Sequence, residues 1–350
     1  MRFKSDLLHR SGKLPMPVKL TCIFLAWLIL IAWLHYRLNF ESADRQVVRM
    51  GYMPVITNLA APILDHVSRD GSGILFQAVK FTSFAEMAEA LRNNSIQAAF
   101  IIAPLAVVLH QQKEDVKVVL IGNRHESTLV ARKELNATRL EDLIDRTIAV
   151  PMRYSGHNIW LRRELEKKGL ERRIRVVEMN PPDMASALTS GALDAYFVGE
   201  PFAAQTVLSN DANVVAYVES EWPGFICNLV LVRGEWLETH SEAVEKMVEA
   251  AARSGLWAKR HPEGAARIAS RYWNQTEALV VHALTQPEGR IVYDRYIPKT
   301  EELRFMADLM RRYGLTEQAD VTGLVDDRFA RNASTEGIDG LDTILVHDAP

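Results

Sequence analysis

The chain has 350 residues, 48% of them apolar and 24% charged, which is the balance of a globular protein with one large core or two medium ones. Its formal net charge of −3 is uneven, because residues 1–19 carry Arg2, Lys4, Arg10, Lys13 and Lys19 against Asp6, which is +4 and leaves −7 for the rest. A mildly acidic body with no basic stripe excludes nucleic acid as the expected partner. Only two cysteines occur, Cys22 and Cys227, so neither a Cys-x-x-Cys pair nor a zinc-spaced cluster can form, and no metal or other cofactor is expected.

From Leu20 to Leu34 the chain is uncharged and strongly apolar, and Tyr36 and Leu38 extend this run toward bilayer length. Basic residues before it place the N-terminus in the cytoplasm, and Trp33 and Tyr36 suit the far interface. No small-residue cleavage site follows, where the chain reads His35-Tyr36-Arg37-Leu38-Asn39-Phe40. The expectation is a cytoplasmic basic tail over 1–19 and an uncleaved signal anchor over 20–38 in the cytoplasmic membrane. The body then lies on the periplasmic or extracytoplasmic side, with secretion after cleavage as the alternative. Lipidation at Cys22 is not expected, since Lys19 stands where that motif needs an apolar residue.

After a polar linker over 41–45, strands are expected at 47–52, 74–79, 98–102, 116–121 and 127–131, with helices at 59–67, 84–92 and 105–111 between them. A second run follows, with strands at 147–150, 174–177, 195–198 and 214–218 and helices at 157–168, 184–190 and 202–208. Strands alternating with short helices predict parallel sheets covered on both faces. One more strand at 228–232 precedes about a hundred helical residues, at 241–259, 262–273, 277–283 and 300–313. The tail over 333–350 reads as poorly ordered.

The two runs are copies of one phrase. Pro54 recurs as Pro151, Met87 as Met184, Leu91 as Leu188 and Pro104 as Pro201, always 97 positions later. A unit this long repeated only twice is not a solenoid; it predicts two α/β lobes. If the chain returns to the first lobe near 222–225, two crossings join the lobes as a hinge, and the cleft between them can enclose a small ligand.

Ligands of open parallel sheets bind beyond the carboxyl ends of the strands. The repeat puts there Pro54, Thr57, Asn58, Ser83 and Pro104 from the first lobe, and Tyr154, Ser155, Gly156, His157, Asn158, Glu200 and Phe202 from the second. Tyr154-Ser155-Gly156-His157-Asn158 opens a helix whose free N–H groups favour an anion, although Ser155 reads first as a helix cap. Glu200 is either a ligand for a cation or ammonium, or a salt-bridge partner near the hinge. There is no Ser/His/Asp elbow, no convincing carboxylate pair, no glycine loop for phosphate and no metal-binding helix, so an enzyme is not expected.

The segment 151–162, together with Pro181-Pro182-Asp183-Met184 and Val198-Gly199-Glu200-Pro201-Phe202, resembles the periplasmic solute-binding proteins of nitrate, sulfonate, taurine and bicarbonate ABC importers, most of all the nitrate/bicarbonate branch. Gly51-Tyr52-Met53-Pro54 and Ala103-Pro104-Leu105-Ala106 carry the likeness into the first lobe. The resemblance implies a type II periplasmic-binding-protein-like fold, with lobe 1 over 47–133 plus 224–332 and lobe 2 over 134–223. It also implies capture of a small anionic solute for ABC permease and ATPase subunits. His157 matches the family's anion-contacting histidine and Glu200 its Gly-Glu-Pro loop. The aromatic expected beside the Ala-Pro loop is replaced by Ile102 and Ala103. The lysine expected after Trp222-Pro223 is missing, and Cys227 lies in the segment that takes its place. Losing that cation removes a charge-assisted bond to an oxyanion, which leaves a sulfonate, a carboxylate-like solute or a pyrimidine precursor open beside nitrate. The alternatives are a membrane-tethered sensor or accessory subunit, and an enzyme acting on a pyrimidine precursor.

Overall fold

The computed structural model describes residues 15–40, 45–71 and 73–345. They fall into two units, divided between Gln46 and Val47. The first holds one helix, α1 (Met16–Phe40), whose segment Met16–Tyr36 has a mean hydropathy of 2.1 and is long and apolar enough to cross a bilayer. The expected basic tail up to residue 14 and the linker residues 41–44 lie outside the described residues.

In the second unit the chain runs β1 (Val47–Tyr52), α2 (Ala60–Ser68), β2 (Leu75–Lys80), α3 (Phe84–Arg92), β3 (Ala98–Ile102), α4 (Ala103–Gln111) and β4 (Val116–Leu120). It then crosses into β5 (Ser127–Arg132), β6 (Thr147–Val150), α5 (Gly156–Lys168), β7 (Arg175–Glu178), α6 (Pro181–Thr189), β8 (Ala195–Gly199), α7 (Phe202–Leu208), β9 (Ala212–Tyr217) and α8 (Val218–Glu221). A second crossing leads to β10 (Asn228–Arg233), α9 (Gly234–Thr239), α10 (Ser241–Arg260), α11 (Pro262–Trp273), α12 (Glu277–Thr285), α13 (Thr300–Arg312) and α14 (Arg328–Asn332).

Two five-stranded sheets result, ordered β2-β1-β3-β10-β4 and β7-β6-β8-β5-β9, so the repeated phrase becomes one topology used twice. The central strands β3 and β8 are buried along their whole length, as apolar runs covered by helices on both faces should be. The crossings swap strands: β10 lies antiparallel between β3 and β4, and β5 lies antiparallel between β8 and β9. This corrects the expected lobe boundary at 133/134, because antiparallel pairing to β8 and β9 places Ser127–Arg132 in the second sheet.

The crossings are strapped together. Arg124, 1% exposed, forms a two-pronged pair with Glu302 (2.8 and 3.1 Å) and donates to the carbonyls of Gly224 and Arg295. Next to it His125 and Glu126 both adopt left-handed backbone (φ 74° and 67°), a conformation that costs a residue with a Cβ about 1–2 kcal/mol. The His125 ring repays part of that cost, accepting from the Gly224 N–H at Nε2 (2.9 Å) with Nδ1 against the Arg290 carbonyl (3.0 Å).

The C-terminal helices pack their apolar faces onto the first lobe. One core cluster joins α10, α11 and α12 to α2 and β1, and another runs from β3 and α4 to α13 and on into the second lobe through Tyr196, Val198 and Phe202. Residues 333–345 are not the loose tail expected from composition. Ile338 and Ile344 are buried in the first of these clusters, and the Arg253 guanidinium donates to the carbonyls of Ser334, Glu336, Gly337 and Thr343. Truncation after Asn332 should therefore lower stability by at least about 3 kcal/mol, from lost apolar burial and a stranded arginine; urea unfolding of the truncated chain checks this.

Candidate functional site

The loops at the carboxyl ends of the strands face one another across the lobes. At the mouth, Ser83, Phe84 and Ala85 of the first lobe and Pro151, Met152, Asn180 and Asp183 of the second line a cleft of ≈ 430 Å³. Ser83 also caps α3 by accepting from the Ala85 N–H (3.2 Å). Two carboxylates, Glu178 and Asp183, stand at this mouth, and Arg153 lies 3.6 Å from the first of them.

Deeper in, the lobes touch. The Ile56 N–H donates to the Glu200 carbonyl (2.8 Å), and Met53, Leu105, Phe202 and Ile226 join one apolar cluster across the gap. Pro54 enters the turn before Thr57 and Asn58, both of which are buried. Asn58 donates to the Phe100 carbonyl and accepts from Asn228 (2.7 Å), which fixes the loop against β3 and β10. Pro104 is buried in the first turn of α4 and only packs.

In the second lobe, Ser155 caps α5 by accepting from the Asn158 N–H (3.1 Å), as its position before a helix requires. The Asn158 side chain donates to the Arg153 carbonyl (2.7 Å), closing the loop on itself. Tyr154 is half-buried, with the Arg153 guanidinium over its ring at 5.6 Å. Gly156 is required by close approach: a Cβ there would stand 2.6 Å from the Phe225 ring. Gly156→Ala should displace Phe225 and cost about 1–3 kcal/mol through overpacking, a loss read by urea unfolding.

His157 Nε2 lies 3.0 Å from Ser127 Oγ and 3.9 Å from Cys227 Sγ. Burial lowers the imidazole from 6.5 to about 3, so the ring is neutral near pH 7 and brings no positive charge to a ligand. Burial likewise pushes the Cys227 thiol well above its ordinary value, and the nearby Glu126 carboxylate adds to the shift.

Glu200 is buried and occupied on both oxygens. Thr128 donates to one at 2.6 Å and the Ala204 N–H to the other at 2.7 Å. Arg290, on the loop after α12, lies 3.5 Å away and also donates to Thr128 Oγ1, to the Ser127 carbonyl and to Glu219, while stacking on Tyr217. Of the two roles open for Glu200, the geometry shows the salt bridge.

Sequence reasoning passed over Glu126, Ser127, Asn228 and Arg290. Glu126 is fully buried, with one oxygen receiving the Glu200 N–H (2.7 Å) and the other the Ser127 hydroxyl (3.3 Å). Its carboxylate lies where a Cβ on Gly199 would be. Burial raises its pKa to about 8, with Arg290 opposing the shift and Glu200 adding to it. A lone glutamate opening an apolar strand was a readable signal; Arg290, far along the chain in a loop, offered none.

A family model described as the NMT1-like family matches residues 41–272. The chain belongs to the NMT1-like family. Among relatives of this NMT1-like chain is a putative aliphatic sulfonates-binding protein of Bacillus subtilis, 27% identical over 175 residues, covering 48% of this chain and 51% of that protein. Another is the taurine-binding periplasmic protein of Escherichia coli, 27% identical over 219 residues and covering 59% and 66%. The chain thus spans between half and two thirds of these relatives. The periplasmic nitrate-binding protein NrtA of Synechocystis PCC 6803 shares the fold, with a TM-score of 0.73 at 15% identity over 83% of this chain and 88% of that one. Two hinged α/β lobes of the periplasmic binding type are therefore the architecture of this family member.

Proposed function

We propose that this chain is the solute-binding component of an ABC importer, closing its lobes over one small solute that bears an anionic group. The observation that carries this reading is the buried polar cluster between the lobes, drawn from the strand-end loops of both, so that one ligand can contact the two lobes together. Such a ligand prefers the closed form by its differential contacts, and closure follows as a population shift. The N-terminus of α5, whose dipole favours negative charge, is the place for the anionic group. Relatives that bind sulfonates, taurine and nitrate support the reading.

In the same reading α1 tethers the body to the cytoplasmic membrane on the extracytoplasmic face, within reach of a permease and its ATPase. The same reading makes the chain a binder and not an enzyme, and it is supported by Cys227 and His157, which burial holds neutral, the opposite of a thiolate–imidazolium pair.

Calorimetric titration of the full chain in detergent with nitrate, bicarbonate, ethanesulfonate and 2-aminoethanesulfonate tests the proposal. One-to-one binding of at least one of them is expected, and no heat from any would sink it.

A further inference from the structure

One polar contact joins the lobes away from the cleft. On α5 of the second lobe, Glu166 has both carboxylate oxygens occupied by the end of α13: Arg312 donates from Nη2 to Oε1 at 2.6 Å, and the Tyr313 hydroxyl donates to Oε2 at 2.9 Å. These bonds, that of Arg312 first, hold the carboxyl below its ordinary value, so it is ionised at neutral pH. Beside the contact lies a crevice of ≈ 350 Å³, with Leu165, Ile174 and Val176 of the second lobe on one side and Tyr313 on the other. The contact therefore borders open space rather than rimming a packed interface.

Each end is fixed in its own lobe. α5 is anchored in the second-lobe core by Trp160, Leu161 and Leu165. α13 shares a core with β3 and α4, and the chain just beyond it is tied to the first lobe twice: Gln111 of α4 donates to the Gln318 carbonyl (2.9 Å), and the Val118 N–H of β4 donates to the Leu324 carbonyl (2.8 Å). Near its other end, Glu302 is paired with Arg124 at the first crossing, about 15 Å along the helix from Arg312 at 1.5 Å per residue. Glu166 stands equally far along α5 from Gly156 at the cleft end.

An exposed ion pair inside one rigid body contributes little to stability. Here the partners belong to two bodies that rotate about the crossings, and an N–H···O bond is lost once its heavy atoms part much beyond about 3.2 Å. Opening that draws α5 from α13 breaks both bonds at once, so what they contribute falls on the closed form alone. Apparent affinity scales with the fraction of protein in the binding-competent form, so even a small contribution becomes a factor in the dissociation constant.

We propose that Glu166, gripped by Arg312 and Tyr313, is a latch that favours the closed lobes and so sets solute affinity without touching the solute. These are positioning residues, and because they meet no ligand their effect is the same for every solute. This inference rests on the solute-binding reading and goes beyond it by placing a control of affinity outside the cleft.

The test compares the full chain with Glu166→Gln, Tyr313→Phe and the swapped pair Glu166→Arg with Arg312→Glu. Calorimetric titration uses whichever of nitrate, bicarbonate, ethanesulfonate and 2-aminoethanesulfonate bind the natural protein. Three- to tenfold weaker binding of each of them in Glu166→Gln, with their rank order kept, and recovery of at least half of that loss in the swapped pair are expected. Unchanged or tighter binding, weakening confined to one solute, or no recovery in the swapped pair overturns the inference and leaves solute binding standing. A second measurement needs no solute. In a Cys22→Ser background, spin labels at Glu86→Cys on α3 and Ser186→Cys on α6, both exposed, report the distance between the lobes by pulsed electron resonance. Glu166→Gln should move population to a longer distance, and distributions that match the natural sequence overturn the latch. If none of the four solutes binds, the solute-binding reading falls, and the spin-label distances still decide whether the latch exists.

Discussion

Arg290→Met will cost the protein about 3–5 kcal/mol, the penalty for stranding a buried charge by removing its partner. The arginine is 3% exposed in its side chain and Glu200 6%, so neither is rescued by water when the other is lost. The same substitution strips a donor from the Ser127 carbonyl and from Thr128 Oγ1. It also removes the tie between the loop after α12 and the second sheet. A paired change discriminates the cause: Arg290→Met with Glu200→Gln removes the stranded charge and should recover part of the loss. Groups this close do not add independently. Urea unfolding of the two single variants and the double variant measures the coupling, and a fully additive result would show that packing rather than charge dominates.

The second large effect is on pH. Glu126 is raised from 4.5 to about 8, so between those values the native state holds a proton that the unfolded state has lost, and stability falls as pH rises. His157 is lowered from 6.5 to about 3, so between those values the unfolded state holds the extra proton, and stability falls as pH drops. From pH 4.5 to 6.5 the two slopes oppose and cancel. The protein should therefore show a plateau there, losing about 2 kcal/mol by pH 8 on one side and about 2 kcal/mol by pH 3 on the other, at about 1.4 kcal/mol per pH unit. Glu200, also raised by burial, steepens the alkaline side, with Arg290 limiting its share. Glu126→Gln should flatten the alkaline limb, and His157→Gln, which keeps a donor near the Nε2 position, should flatten the acid limb. Melting temperatures across pH 3–9 for the three proteins read both, and a variant that keeps its limb refutes the assignment of that limb.

The two-lobe architecture was legible because periodicity and the echo at 97 residues are local signals that survive in one dimension. Pro54 and Pro151, Met87 and Met184 mark equivalent turns and core positions, and the sheets repeat strand for strand. Strand β5 was misplaced because nothing in Ser127–Arg132 says which sheet it joins; an apolar run pairs equally well with either, and only the antiparallel register with β8 and β9 decides it. The tail failed for a related reason: its Asp- and Gly-rich composition hides Ile338 and Ile344, which matter only once Arg253 collects the carbonyls around them. At the site, loop residues such as Ser155 and His157 could be found by position, whereas their charge state could not. His157 is neutral because of Phe197 and Phe225 packed around it, a property of burial that spacing does not encode. Arg290 reaches the cluster from a loop more than a hundred residues beyond β5, and no periodic signal could have placed it there.

Hydrogen exchange on the full chain, with and without a saturating solute from the titrations, tests most directly whether one ligand is held by both lobes. Slowed exchange should appear together at residues 55–58 of the first lobe, 156–158 of the second and 225–228 of the return crossing. A solute that binds yet slows exchange in one lobe alone, or in neither, would contradict the account.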